Sequence, residues 1–387
     1  MKISVDKEPF IKSWSLAERS AGTSGSMNIF SAVMMRANED RVDLRATDIR
    51  TSIICEARGV TVLEPGEAVI PIKGVSDLFK KAGAAEFTLQ IDDGKATMVS
   101  GRSRYKFSTY PVSEFPKLPS SSGGTPFCSV TSSNLALALE RGTICASSGD
   151  EYPQYLSSAL LEMNDGLLNV VSTDKRRLAV AKSEVTDGLG GDPVLLPMKG
   201  LKELQRILGM VEPDTIVRII LDDAQAYFAA EGMEFAVRRV ESKFPLYAKL
   251  IPTTHTTVVY IDRASLISAI ERVDVVVRDY NRTVIMNTGS DNVCRLTGRA
   301  QEFGEAVENI SCDMDGDPVF MGFNNRFFHD AVKVFDDQYA CLLFSGREGH
   351  MLVRAKDSDS FLCLVAPVDL NKDEIMERDS GPEVDVL

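Results

Sequence analysis

Histidine is scarce in this sequence: His255, His329 and His350 are the only three in 387 residues, and there is a single tryptophan. No H-E-x-x-H, G-x-S-x-G, G-x-x-x-x-G-K-[ST] or G-x-G-x-x-G occurs, so the signatures of metalloprotease, serine hydrolase, nucleotide hydrolase and dinucleotide binder are all missing. The expectation is a protein that is not an enzyme, with no catalytic residues, no metal and no cofactor. The seven cysteines are scattered without a C-x-x-C pair, most of them inside apolar, strand-like runs. That pattern suits small buried hydrophobes in a reducing compartment, not a disulfide frame or a zinc site. No apolar stretch approaches the roughly 18 residues of a membrane span. The opening MKISVDKEPF carries charge where a signal peptide needs an apolar core. A cytoplasmic protein with no membrane association is expected.

What is present is the composition of a soluble globular chain, 44% hydrophobic and 26% charged. Its length exceeds one ordinary core and suggests two to three domains. The formal net charge is -13. Taken as a sum, that charge opposes a nucleic-acid partner; only a segregated distribution could override it.

The chain repeats itself three times. EAVIPIKGVSDLFKKAG (67 to 83) recurs as DPVLLPMKGLKELQRILG (192 to 209) and, degraded, as DPVFMGFNNRFFHDAVKVF (317 to 335), with Pro71, Pro197 and Gly322 equivalent. ISVDKEPFIKSWSLAER (3 to 19) recurs as CSVTSSNLALALERG (128 to 142) and VYIDRASLISAIERV (259 to 273), each reading as a short strand, a polar cap and a helix. The closing segments 101 to 116, 232 to 247 and 349 to 370 align as well. The Ser/Gly/Pro stretch KLPSSSGGTP marks one linker. The predicted fold class is α+β: three tandem similar domains, each of antiparallel sheets with two helices, over 1–120, 121–252 and 253–370. Residues 371–387 form an acidic tail for which disorder is the default expectation.

A third repeated feature is a hairpin turn. RVDLRATDIRTSII (41 to 54) matches LLNVVSTDKRRLAV (167 to 180), with Thr47 and Asp48 standing where Thr173 and Asp174 do; NVCRLTGRAQEFGE (292 to 305) is the third copy. Alternating apolar residues on either side of a short polar turn predict paired strands. Only the second copy is loaded with Lys175, Arg176 and Arg177. Such a cluster can bind phosphate, bind a partner or simply be solvated.

In KGLKELQRILG, Leu201, Leu204, Ile207 and Leu208 mark one apolar helix face and leave Lys202, Gln205 and Arg206 on the other; GVSDLFKKAG does the same with Lys80 and Lys81 outward. The helical windows are mildly basic on an acidic chain.

The tandem strand-rich domains, the P-[IM]-K-G helix start, GRSR followed by FP, STD-x-x-R-LAV, KFP-x-Y and a terminal V-x-P run together resemble the bacterial sliding clamp family, the beta subunit of DNA polymerase III, over residues 1 to 370. The resemblance implies a homodimeric ring of six similar domains, with helices lining a hole for double-stranded DNA bound without regard to sequence. It also implies a processivity role with the DNA polymerase III alpha subunit, the clamp loader and other clamp-binding-motif proteins as partners. Candidates for the DNA-facing set are Lys80, Lys81, Arg141, Lys199, Lys202, Arg206, Arg272 and Lys333. Phosphate contacts of this kind position a ring without pinning it to a sequence.

The resemblance further implies a hydrophobic pocket for partner peptides. Carried onto this chain it includes Leu156, Thr173, Asp174, Lys175, Arg176, Arg177 and Leu178 from the second domain. Pro245, Leu250, Asn324, Leu364, Val365, Pro367 and Val368 complete it, with Leu178, Leu364 and Val365 as the expected floor. The chain departs from the family pattern where Lys175 and Arg176 replace the usual Gly-His, where Ala366 and Val368 stand at common methionine positions, and where Asp369 replaces a frequent arginine. At the expected dimer joint, Arg102, Arg104 and Lys106 face Glu302, Glu305 and Glu308, with Val275 and Val276 supplying apolar burial. The alternatives are a monomeric three-repeat scaffold that binds peptides without DNA and, third, an enzyme.

Overall fold

The computed structural model describes residues 1–22, 28–289, 292–346 and 349–370. The tail 371–387 lies outside the described residues. Among those described are six α-helices: α1 (Lys7–Glu18), α2 (Val75–Lys81), α3 (Ser132–Gly142), α4 (Met198–Leu208), α5 (Arg263–Val277) and α6 (Asn325–Lys333). They alternate between two roles. Each of α1, α3 and α5 follows a repeat's opening strand (Lys2–Asp6, Thr125–Thr131, Thr257–Asp262), and each of α2, α4 and α6 follows a later one (Gly66–Pro71, Val194–Pro197, Phe320–Asn324). The threefold repetition read from the sequence is therefore a repetition of strand-helix units. Polar residues cap three of these starts: Thr131 accepts from the Asn134 amide at 3.3 Å, Asp262 from the Ser265 amide at 2.9 Å and Asn324 from the Phe327 amide at 3.2 Å.

The chain packs as two compact units. The first comprises 1–136, 162–168 and 184–241; the second comprises 137–161, 169–183 and the described residues from 242 on. In the first, a five-stranded sheet ends on Ser103–Ser108, and a nine-stranded sheet joins two repeats because Met233–Arg238 pairs antiparallel with Thr51–Glu56, Phe235 opposite Ile53. In the second unit the same device recurs: Arg177–Glu184 pairs with Phe361–Val365, Leu178 opposite Leu364. All seven cysteines are buried and free, as their apolar settings implied.

Helices α1, α4, α5 and α6 lay their apolar residues against sheet strands, and α2 packs on α1. In the first unit Phe10 and Trp14 of α1 meet Phe79 of α2, with Trp14 and Phe79 edge to face at 4.9 Å. Trp14 Nε1 donates to Ser76 Oγ at 2.8 Å, so the largest buried side chain keeps its polar atom satisfied. In the second unit Leu266, Ala269, Ile270, Val273, Val276 and Val277 of α5 sink into a core shared with Phe328 and Phe335. The close approach of α5 to its sheet depends on Gly298. A Cβ there would stand 2.5 Å from Val273 Cγ1 and 2.7 Å from Val277 Cγ1.

Gly298→Ala is accordingly expected to destabilise the chain by roughly 1–3 kcal/mol through overpacking. Gly123→Ala, which meets nothing within 4 Å, should be close to neutral. Denaturant unfolding of the two variants side by side checks this, and equal midpoints would show that the helix-sheet gap tolerates a methyl.

Candidate peptide cleft and basic helix faces

The turn in VVSTDKRRLAV is built by its own side chains. Thr173 Oγ1 donates to the Arg177 carbonyl at 2.7 Å and accepts from the Lys175 amide at 3.1 Å. Asp174 Oδ1 accepts from the Arg176 and Arg177 amides, each at 3.0 Å. The first-domain copy uses the same bonds: Thr47 Oγ1 donates to the Thr51 carbonyl at 2.7 Å, and Asp48 Oδ1 accepts from the Arg50 and Thr51 amides at 3.0 and 2.7 Å. Both turns force a non-glycine residue into the left-handed region, Lys175 at φ 73° and Ile49 at φ 76°. The conserved geometry between the copies identifies Thr-Asp as a turn-forming pair.

The charges of the cluster then divide. Arg177 is buried and turned away from the turn's tip. Its Nε donates to Asp174 Oδ2 at 3.0 Å, one terminal nitrogen donates to Asp330 Oδ2 at 2.8 Å, and the guanidinium lies 4.2 Å over the Phe327 ring. Burial works against its charge, but the Asp330 and Asp174 carboxylates, with the buried Cys145 thiol, outweigh it and hold Arg177 above the usual arginine range. Arg177 therefore braces the turn against α6, while Lys175 and Arg176 remain exposed.

Beside the turn is a cleft of about 260 Å³ lined by Tyr155, Thr173, Lys175, Arg176, Arg177, Leu178, Pro245, Leu250, His350 and Leu364. All of these belong to the second compact unit. Strand pairing forms its apolar floor: Leu178 lies opposite Leu364, which lies opposite Leu352 on the next strand. Leu250 stands at the rim, 55% exposed and open to a ligand. The cleft thus joins an apolar floor to a cationic lip.

Eight of the pocket residues expected from the sequence meet here. Val365 does not: it pairs with Arg177, one residue out of phase with Leu364, and is fully buried in the core on the opposite face of the sheet. A strand's two-residue period makes that unavoidable for neighbours. Leu156 is buried outside the lining, and Asp174 serves the turn. Asn324 caps α6. Pro367 and Val368 lie past the floor, where the Val368 amide donates to the Gly322 carbonyl at 2.8 Å. Tyr155 and His350 were not foreseen. The only available signal for His350 was its place just before Met351–Ala355, the strand that pairs with the floor strand.

The basic residues of the helices are also sorted by the fold. Lys80 pairs with Glu18 at 3.2 Å, Arg206 pairs with Glu203, and Lys199 lies 3.8 Å from Asp48. Arg141 is half-buried and donates to Ser360 Oγ at 3.2 Å. Arg272 makes two bonds to Glu308, at 2.8 and 2.6 Å, and its hydrogen bonds hold the Glu308 carboxyl below the usual range. Lys81, Lys202 and Lys333 are exposed and have no ion pair among the described residues. They sit one each on α2, α4 and α6, the second helix of every repeat.

At the expected joint, Arg104 and Lys106 lie on Ser103–Ser108, an edge strand, with Arg102 in the preceding turn. In the second unit Glu305 and Glu308 lie on opposite faces of Gly304–Gly316, with Glu302 in the turn before it. Glu305 pairs with Arg299 at 2.6 Å. Among the described residues, 304–311 pair on one side only, with Val293–Ala300; the strand's other partner, Thr257–Asp262, takes over from Cys312. Val275 is 51% exposed, whereas Val276 belongs to the core. Among the described residues no cluster of His, Cys, Asp and Glu could hold a metal ion, and no helix is long and apolar enough to cross a membrane.

Comparison with known proteins gives one consistent family. The DNA polymerase III beta subunit matches through its N-terminal domain over residues 1–119, its central domain over 129–246 and its C-terminal domain over 248–369. The beta sliding clamp of Pseudomonas putida is 26% identical, the alignment covering 96% of this chain and all of that protein. The Bacillus subtilis sliding clamp structure superimposes with a TM-score of 0.90 at 21% identity, over 96% of this chain and all of that one. A Pseudomonas aeruginosa sliding clamp bound to griselimycin gives 0.89 at 25% identity, with the same coverage. With three tandem domains matched in order along nearly its whole length, the chain belongs to the DNA polymerase III beta subunit family, the beta sliding clamps.

Proposed function

We propose that this family member, an accessory processivity subunit and not an enzyme, encircles duplex DNA as a head-to-tail homodimer and holds its polymerase through the Leu178–Leu364 cleft. In this reading the domains run 1–120, 121–252 and 253–370. The observation that carries it is the exposed lysine on each of α2, α4 and α6, without a carboxylate partner among the described residues, on a chain of net charge -13. Two protomers would present that pattern six times. Diffuse phosphate attraction of this kind holds a duplex without reading its bases, so the protein can slide. An acidic remainder disfavours DNA elsewhere on the surface.

The joint has a specific physical basis. Ser103–Ser108 offers an open backbone edge carrying Arg104 and Lys106, and residues 304–311 offer another carrying Glu305 and Val307. Open edges pair with other strands when nothing covers them. Opposite charge selects one edge for the other. Two unlike patches on each protomer make a heterologous contact, which closes into a ring when the rotation permits.

The alternative, a monomeric scaffold that binds peptides without DNA, uses the cleft but gives the edges and the lysines no role. Once loaded, the protein should stay on nicked circular duplex DNA and leave after linearisation; equal retention on both would favour the scaffold. Replacing Lys81, Lys202 and Lys333 together by Ala should lower the salt dependence of DNA association by roughly 0.9 per lost phosphate contact.

Val275→Asp combined with Val307→Asp should convert dimer to protomer in sedimentation, because burying unpaired charge costs several kcal/mol. Both valines are exposed in the protomer (51% and 48%), so the substitution spares the fold. A persistent dimer would put the joint elsewhere.

In the cleft, Leu250→Asp should abolish binding of the DNA polymerase III alpha subunit, since an anchored leucine contributes about 1.5–3 kcal/mol. Lys175→Ala with Arg176→Ala should instead weaken binding chiefly at low salt, where exposed charges are least screened. Titration calorimetry at two salt concentrations separates the two effects. Full binding by Leu250→Asp would sink the cleft assignment.

A further inference from the structure

We propose that residues 371–387 of this chain dock in the same cleft and compete there with its partners. The inference rests on the cleft being a peptide site, and three observations carry it.

The first is chemistry. The segment NKDEIMERDSGPEVDVL holds six carboxylates against two cations, interleaved with Ile375, Met376, Val384 and Val386. The cleft presents the complement: exposed Lys175 and Arg176 at the lip, with Leu178, Leu250 and Leu364 offering apolar surface. An acidic, apolar peptide is what such a site selects, apolar contacts supplying affinity and charge supplying attraction at a distance.

The second is tethering. The floor strand Phe361–Val365 is the last strand before the segment. One residue on, the Ala366 amide donates to the Arg176 carbonyl at 2.8 Å, at the lip itself. Beyond Leu370 the chain has 17 residues, which reach up to roughly 55 Å at about 3.3 Å per residue. A short tether gives effective concentrations in the millimolar range, so even a weak segment competes.

The third is its place outside the shared architecture. The match to the family's C-terminal domain ends at residue 369, and the Pseudomonas putida clamp is aligned over its entire length while 96% of this chain is covered. The segment is thus additional to what those relatives use to build the domain. It coincides with a lip whose Lys175 is likewise additional, since the equivalent turn of the first domain carries Ile49 there, while Arg50 stands where Arg176 does.

The test uses the full chain. Ile375→Ser, Val384→Ser and Val386→Ser together should vacate the cleft. A synthetic peptide of residues 371–387, titrated by calorimetry, should then bind this variant and bind the natural chain roughly five- to tenfold more weakly, because a tethered copy already occupies the site. Adding Leu250→Asp to the variant should remove peptide binding. No binding to the variant at millimolar peptide, equal binding to both chains, or binding insensitive to Leu250→Asp would each overturn the proposal. A parallel titration with the DNA polymerase III alpha subunit separates the two readings. If the alpha subunit binds both chains equally well, only the competition fails. If the peptide binds as expected but the alpha subunit binds neither chain, the tail assignment stands and the partner reading falls.

Discussion

Backbone hydrogen bonding at strand edges is the constraint on which the rest of this structure depends. A repeat of short strands and two helices leaves edges whose amides and carbonyls need partners. Within the first unit Thr51–Glu56 finds its partner in Met233–Arg238, and within the second Arg177–Glu184 finds Phe361–Val365. Both pairings join segments far apart in sequence, so each repeat is completed by a strand from another. The open sides of Ser103–Ser108 and of residues 304–311 carry opposite charge, and the proposed ring is the same solution applied between protomers.

The site inherits its form from that pairing. Because Leu178 is registered against Leu364, the floor leucines lie side by side on one face, and Val365 is sent to the core on the other. Arg177, at the edge of the cleft lining, is also the brace of its turn. Its bonds to Asp174 and Asp330 fix the Thr-Asp turn, and this leaves Lys175 and Arg176 projecting. A charged cluster that reads as one feature in the sequence is two devices in the fold, one structural and one exposed. Helix charges divide similarly: Arg272 is bound to Glu308, whereas Lys81, Lys202 and Lys333 have no ion pair among the described residues.

What the sequence determined by itself was whatever repeats or alternates locally. The six strand-helix units, two to a repeat, the polar caps at Asp262 and Asn324, the burial of every cysteine and the Thr-Asp turn follow from residue type and spacing over a dozen positions or fewer. Eight residues of the cleft came by another route, from the resemblance to the family, whose pocket positions were carried onto this chain. Tertiary structure alone decided phase and partnership. Whether Leu364 or Val365 faces the cleft turns on a one-residue register set by a strand nearly two hundred positions away, and whether Val275 or Val276 is exposed turns on how α5 is rotated over Gly298. Tyr155 and His350 join the site only because distant segments converge there. Such choices are made by long-range pairing and packing, and one-dimensional spacing holds no record of them.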